Sequence, residues 1–201
     1  MVERDPLVLM RRAFDQSATL IESVMPDQIA SPTPCTEFDV GSLTGHMLFA
    51  AERVATAGRR EPIAVDAEPV VTGLGDAERA PAFRRAADDA LEAWAGPGAL
   101  AGQIVLPFGT FPATVVASIY NLEQVTHAWD LAAATGRLGL LDPELAEAVF
   151  PVAVQMLPPE GREVPELPFG PVVDVPAGAP VYDRLAGFMG RDPSAVVGPA
   201  R

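Results

Sequence analysis

The sequence contains no lysine, a single cysteine, only two histidines and no long apolar run. Each scarcity removes a class of function. Without lysine there is no Schiff-base nucleophile and no phosphate-gripping lysine of the P-loop kind. All 14 basic residues are therefore arginine, which beside heavy alanine, glycine and proline usage points to GC-biased coding. One cysteine, Cys35, excludes an internal disulfide framework and fits a reducing compartment. No stretch approaches the roughly 18 uninterrupted apolar residues of a membrane span. The charged start, Met1 to Pro6, is not followed by the apolar core of a signal peptide, so a cytoplasmic protein without a membrane partner is expected. Positive charge is also scarce. Fourteen basic residues stand against 27 acidic ones, a net charge of -13, so nucleic acid and anionic membrane find no basic patch to meet. There is neither a glycine-rich phosphate loop nor a nucleophile elbow, which argues against nucleotide-dependent and serine-hydrolase chemistry.

What is present is helical periodicity. With 201 residues, 49% of them hydrophobic, the chain is long enough for one domain with a sizeable core. Apolar residues recur at helical spacing over 5–25, 39–58, 76–94, 112–135, 143–157 and 181–189. Asp5 with Pro6, and Asp39, have the chemistry of helix starts, and Gly136 that of a helix stop. Residues 103–107 are a strand candidate with a turn following at 108–112, and residues 171–175 are a second, weaker strand candidate. The connection 59–75 shows no clear element. The pattern predicts an all-α fold: a four-helix bundle with short extra helices and one or two marginal strands. It reads as one domain over 1–201, with a Pro/Gly-rich C-terminal extension from about 158.

The most informative stretch runs from Tyr120 to Leu131. At about 100° per residue, Val116, Tyr120, Glu123, His127, Asp130 and Ala134 fall in one narrow stripe of the fourth helix. A carboxylate and an imidazole in an otherwise apolar stripe are costly to bury unless something pairs them, and a divalent cation would do so. The other histidine, His46, lies at the edge of the apolar stripe of the second helix. Two histidines and one carboxylate from two helices make a three-ligand site with open positions, the usual arrangement of a catalytic metal. The plainer reading of Glu123 and His127 is a buried ion pair or a surface i,i+4 pair. Asp130 is a fourth ligand, a carboxylate that orients a ligating histidine, or a rim residue, and the orienting role is favoured. Trp129 points away from the stripe and reads as core. Cys35, in a proline-rich loop before the second helix, is a ligand, a redox sensor or, more simply, a small buried residue. Arg184 and Arg191 could meet a substrate carboxylate or simply lie on a solvated helix face.

Two segments carry a family resemblance. Thr33-Pro-Cys-Thr-Glu-Phe-Asp-Val-Gly-Ser-Leu-Thr-Gly-His46, followed by Glu123-Gln-Val-Thr-His127-Ala-Trp-Asp130-Leu-Ala-Ala-Ala-Thr-Gly136, resembles the mycothiol-dependent maleylpyruvate isomerase N-terminal family, within the DinB-like group of metal-binding proteins. The tail, with Phe169-Gly-Pro-Val-Val-Asp-Val-Pro and then Asp183 to Pro193, resembles its single-domain members. The resemblance implies a DinB-like bundle holding one divalent metal, often zinc with nickel or iron as alternatives, through His46, Glu123 and His127. It also implies a low-molecular-weight thiol such as mycothiol, used for isomerisation or for transfer to a small electrophilic substrate, in a monomer or homodimer. The sequence departs from the pattern in two places. It leaves no room for the additional C-terminal domain of the full-length isomerase, and Gly41, Ser42 and Gly45 replace bulkier or charged residues before the first histidine. The expected function is thus a metal- and thiol-dependent transferase or isomerase. The alternatives are a metal-dependent hydrolase on the same site and a non-catalytic metal-binding or sensing module.

Overall fold

The computed structural model describes residues 5–63, 75–160, 162 and 170–195, and six α-helices and one β-hairpin lie within them. Parts of the connection 59–75 and of the extension after 158 lie outside the described residues. The fold is all-α, as the periodicity predicts. No helix among the described residues is long and apolar enough to cross a membrane.

Local chemistry sets the helix ends. In α1 (Pro6–Glu22) the Asp5 carboxylate accepts the Leu7 N–H at 2.9 Å, and Pro6 takes the first helical position, where no N–H is needed. In α2 (Val40–Gly58) Asp39 accepts the Ser42 N–H at 2.7 Å. After α3 (Asp76–Ala93) comes the hairpin, β1 (Gln103–Leu106) paired antiparallel with β2 (Gly109–Pro112). Then α4 (Ala113–Thr135) stops where Gly136 turns left-handed (φ 72°) and the Arg137 N–H reaches back to the Ala132 carbonyl at 2.7 Å. In α5 (Pro143–Met156) Asp142 accepts the Glu144 N–H, and α6 (Val181–Phe188) closes the series.

Helices α1 to α4 form the bundle, with α1 along α4 and α2 along α3. Phe14, Leu43, Met47, Phe83, Trp94 and Leu131 are fully buried in their shared core. A second apolar cluster lies on the opposite side of α4, where Val125 and Trp129 meet Leu145 and Val149 of α5 and Leu185 of α6. Sandwiched between the two clusters, α4 is buried on most of its faces, as a helix at the centre of a bundle must be.

Two expectations need correction. Residues 108–112 are not simply a turn. Pro107 and Phe108 alone make the turn, and 109–112 pair back as a strand, with Ile104 opposite Phe111 and Leu106 opposite Gly109. Ile104 and Leu106 point into the core while Val105 faces solvent, the alternation that holds a short hairpin on a helical body. Conversely, residues 171–175 form no strand. They run beside α6 without a partner strand, and the Val173 N–H bonds instead to the Gly187 carbonyl at 2.9 Å. A side chain at Gly187 would collide with Val175 and the Val173 carbonyl, so this approach requires glycine.

Candidate metal centre and its pocket

His46 is presented by α2, and Glu123 and His127 by α4, one helical turn apart. The two helices are tied together beside these residues. Gln124, buried next to Glu123, donates to the carbonyl of Met47, next to His46, at 3.3 Å, and its own carbonyl oxygen accepts from Ser17 of α1 at 3.3 Å. His46 Nε2 lies 3.4 Å from Glu123 Oε1, and the two imidazole rings meet edge to face with centroids 4.8 Å apart. Phe38 stacks on His46 at 4.8 Å and turns its edge to His127 at 6.3 Å. The loop that carries Phe38 is braced by the Thr33 hydroxyl, 2.9 Å from the Cys35 carbonyl oxygen and 2.8 Å from that of Phe38.

Beneath His127 lies a buried charge pair. Asp130 has no exposed side-chain surface and sits 3.0 Å from His127 Nδ1. Arg191, delivered by the turn after α6, donates from Nε to Asp130 Oδ1 at 3.2 Å and from Nη2 to Oδ2 at 2.9 Å. Burial pushes the Asp130 carboxyl up, but the His127 bond and the charge and bonds of Arg191 outweigh it and hold the group below the usual carboxylate range. An ionised Asp130 fixes the proton of His127 on Nδ1 and leaves Nε2 as the ring's free lone pair. Glu123 behaves similarly. Burial raises its carboxyl, and the bond to His46 with the fields of His46, His127 and Arg53 brings it below normal.

The structure thus sets His46 against Glu123 and His127, and His127 against Asp130, in a row of contacts. It adds Cys35: one ligand atom each from Cys35, His127 and Asp130 all lie within 4.8 Å of one another. Among the described residues this is the grouping whose ligand atoms come that close together, whereas those of His46, Glu123 and His127 do not, yet its chemistry suits a cation poorly. Arg191 already supplies the positive charge at Asp130, and burial raises the Cys35 thiol and favours its protonated form. Arg191 is neither on a solvated face nor free for a substrate, because Asp130 engages it in the interior. Arg184 lies over the Phe150 ring at 5.8 Å. Trp129 is core, its indole N–H donating to Asp183 at 3.2 Å.

A pocket of about 190 Å³ opens on the other side of His46 and Glu123. Phe49 and Arg53 of α2, Tyr120 of α4 and the hairpin turn at Pro107 and Phe108 complete much of its wall. Burial pushes the Tyr120 hydroxyl up to about 12, so it stays protonated at neutral pH. Sequence reasoning missed Arg53 and Phe38. For Arg53 a signal was available: it follows His46 by seven residues, two turns along one face. For Arg191 none was, since its contact with Asp130 spans 61 residues.

Residues 10–132 match the profile described as the mycothiol maleylpyruvate isomerase N-terminal domain. The chain belongs to this family. Among proteins similar to this maleylpyruvate isomerase N-terminal domain member are two from Mycobacterium tuberculosis, uncharacterized protein Rv0738 of strain ATCC 25618 / H37Rv and uncharacterized protein MT0763 of strain CDC 1551 / Oshkosh. Each is 38% identical over 187 residues, covering 93% of this chain and 98% of the relative. The likeness to them therefore runs past the family-defining segment into the tail that carries Arg191. No solved structure matches this family member.

Proposed function

We propose that this chain is a divalent-metal enzyme of the DinB-like type that joins a low-molecular-weight thiol, mycothiol by the family's name, to a small electrophile or uses it to isomerise one. The observation that carries the reading is the meeting of both histidines of the chain beside Glu123, with His46 and Glu123 also on the wall of a pocket.

The residues fit a metal by their chemistry. His46 and His127 offer nitrogen, Glu123 offers an ionised oxygen, and this N/O/N set suits zinc, with nickel or iron as alternatives. His46, Glu123 and His127 would hold it, and such an ion lowers the pKa of a bound thiol and polarises a carbonyl. The chain's own residues supply the rest. Asp130, backed by Arg191, keeps the His127 proton on Nδ1 and the ring in one orientation. Phe38 covers the imidazole pair on the loop side and limits water there. Tyr120, protonated at neutral pH, can donate a hydrogen bond to a substrate oxygen in the pocket. The C-terminal segment works as part of the same unit, because Arg191 completes the support of His127. A cytoplasmic setting and a monomer or homodimer complete the proposal.

The test is metal analysis of protein purified without affinity-tag metal or chelator, followed by assays with mycothiol and either maleylpyruvate or a chlorinated arene. One metal per chain is expected, lost in His46→Ala and His127→Ala, together with thiol-dependent turnover that the same variants abolish. Absence of metal overturns the proposal. Metal without thiol-dependent turnover overturns the enzyme reading in favour of a non-catalytic metal-binding module.

A further inference from the structure

The pocket beside His46 and Glu123 carries a positive charge that the metal reading leaves unused. Arg53 lies seven residues beyond His46 on α2 and forms part of the pocket wall. Its guanidinium carbon sits 5.4 Å over the Phe49 ring, and its charge reaches the Tyr120 hydroxyl on the same pocket wall. Stacking on the Phe49 ring steadies the fork without a carboxylate. Among the described residues, ion pairs form at Arg12, Arg59, Arg84 and Arg191 but not at Arg53. The nearby acid is Glu123, whose field reaches Arg53 but which lies against His46.

Charge and size narrow what would fit. In a chain of net charge -13, an arginine on a pocket wall is the exception, and a cation at Glu123 would leave its charge without a counter-charge there. Arg53 accepts nothing as a hydrogen-bond partner and donates in a planar fork that matches a carboxylate. Tyr120, on the same wall as Arg53, has a hydroxyl proton to donate to the same anion. Between this polar end and His46 the wall is apolar, formed by Phe49, Ile119, Leu106 and Phe108. The volume of about 190 Å³ exceeds the roughly 150 Å³ of a dry cavity that accepts benzene, so a single ring with a small substituent is the right scale.

We propose that Arg53 and Tyr120 form a carboxylate-recognising subsite that selects short acids with a flat apolar body, of benzoate size, and turns the far end of the molecule toward His46 and Glu123. The inference rests on the proposed function for what happens at that far end, but the subsite itself needs only the chain's residues.

Benzoate and its neutral isostere benzamide are the probes, titrated calorimetrically into the full chain with and without zinc. The wild-type protein should bind benzoate about tenfold or more tightly than benzamide, as expected for a charge-assisted bidentate contact. Arg53→Gln should erase that preference with zinc content unchanged, Arg53→Lys should keep part of it, and Tyr120→Phe should weaken benzoate alone. A preference that survives Arg53→Gln overturns the proposal. So does one that vanishes only when zinc is removed, because the carboxylate would then sit on the metal. Should the chain hold no metal yet keep an Arg53-dependent preference, the subsite stands and the enzyme reading falls.

Discussion

Arg191 grips Asp130 with two nitrogens, at 3.2 and 2.9 Å, in a pair where the carboxylate has no exposed surface and the arginine side chain only 8%. This is the most deeply buried charge pair among the described residues, and it sits directly under His127. Removing one partner of such a pair costs about 3–5 kcal/mol, because the other charge is left desolvated and alone. Arg191→Met should therefore lower unfolding free energy in urea by about that much, and the double variant Asp130→Asn, Arg191→Met should recover part of it. Zinc affinity of the single variant should fall by about 10- to 100-fold through the loss of support for His127. A loss below about 1 kcal/mol would mean the pair is exposed in solution.

The turn that delivers Arg191 makes a second prediction. Gly190 has φ 84°, and a Cβ there would lie 2.9 Å from the backbone of Gly170. Gly190→Ala touches neither His127 nor Asp130, yet it should lower the melting temperature and weaken zinc binding together. Weaker stability with unchanged zinc affinity would show that the turn can yield without moving the guanidinium.

Most of the helical frame was legible because its boundaries are set by local chemistry. Asp5, Asp39, Pro6 and Gly136 act within a few residues of themselves, and each does in the structure what its type predicts. The hairpin was half legible. Gly109 and Pro112 look like turn residues, and only the burial of Ile104 and Leu106 against the bundle makes 109–112 a strand. The strand expected at 171–175 failed for want of a partner strand, which no local pattern announces. At the site, the spacing of Glu123, His127 and Asp130 on one face is visible in one dimension. The partners that decide their state come from elsewhere: Phe38 from a loop, Arg53 from α2, and Arg191 from beyond α6.

The cap of α2 should give stability a measurable pH dependence. Ser42, by its side chain and its backbone N–H, holds the Asp39 carboxyl below its ordinary value. A carboxyl depressed in the folded state contributes fully above its unfolded value, about 3.9, and loses that contribution as pH falls through the folded value. Asp39→Ala should cost about 1 kcal/mol at pH 7. The gap between wild type and variant should narrow steadily below about pH 4 in urea titrations. A gap that stays constant with pH would place the cap's contribution in geometry rather than charge.

Gly58, the last residue of α2, sets two principles against each other. Alanine in a helix is worth up to about 1 kcal/mol more than glycine by propensity. Here its Cβ would meet the indole of Trp94 at 2.7 Å, and that buried ring donates its N–H to the Val54 carbonyl at 2.8 Å. Overpacking a fixed aromatic typically costs about 1–3 kcal/mol, so Gly58→Ala should be net destabilising in thermal melts. A stabilised variant would show that Trp94 has room to retreat.

The placement of α4 bears on how such a protein diversifies. Clasped between two apolar clusters, this helix leaves Glu123 and His127 little freedom to drift as neighbouring residues change. The far rim of the pocket is different, for Phe108 at the hairpin tip is 68% exposed. Under the proposed function, inheritance of the reactive centre and novelty in what it accepts fall to separate parts of the chain, and new specificities can be tried at the rim without endangering the helix beneath.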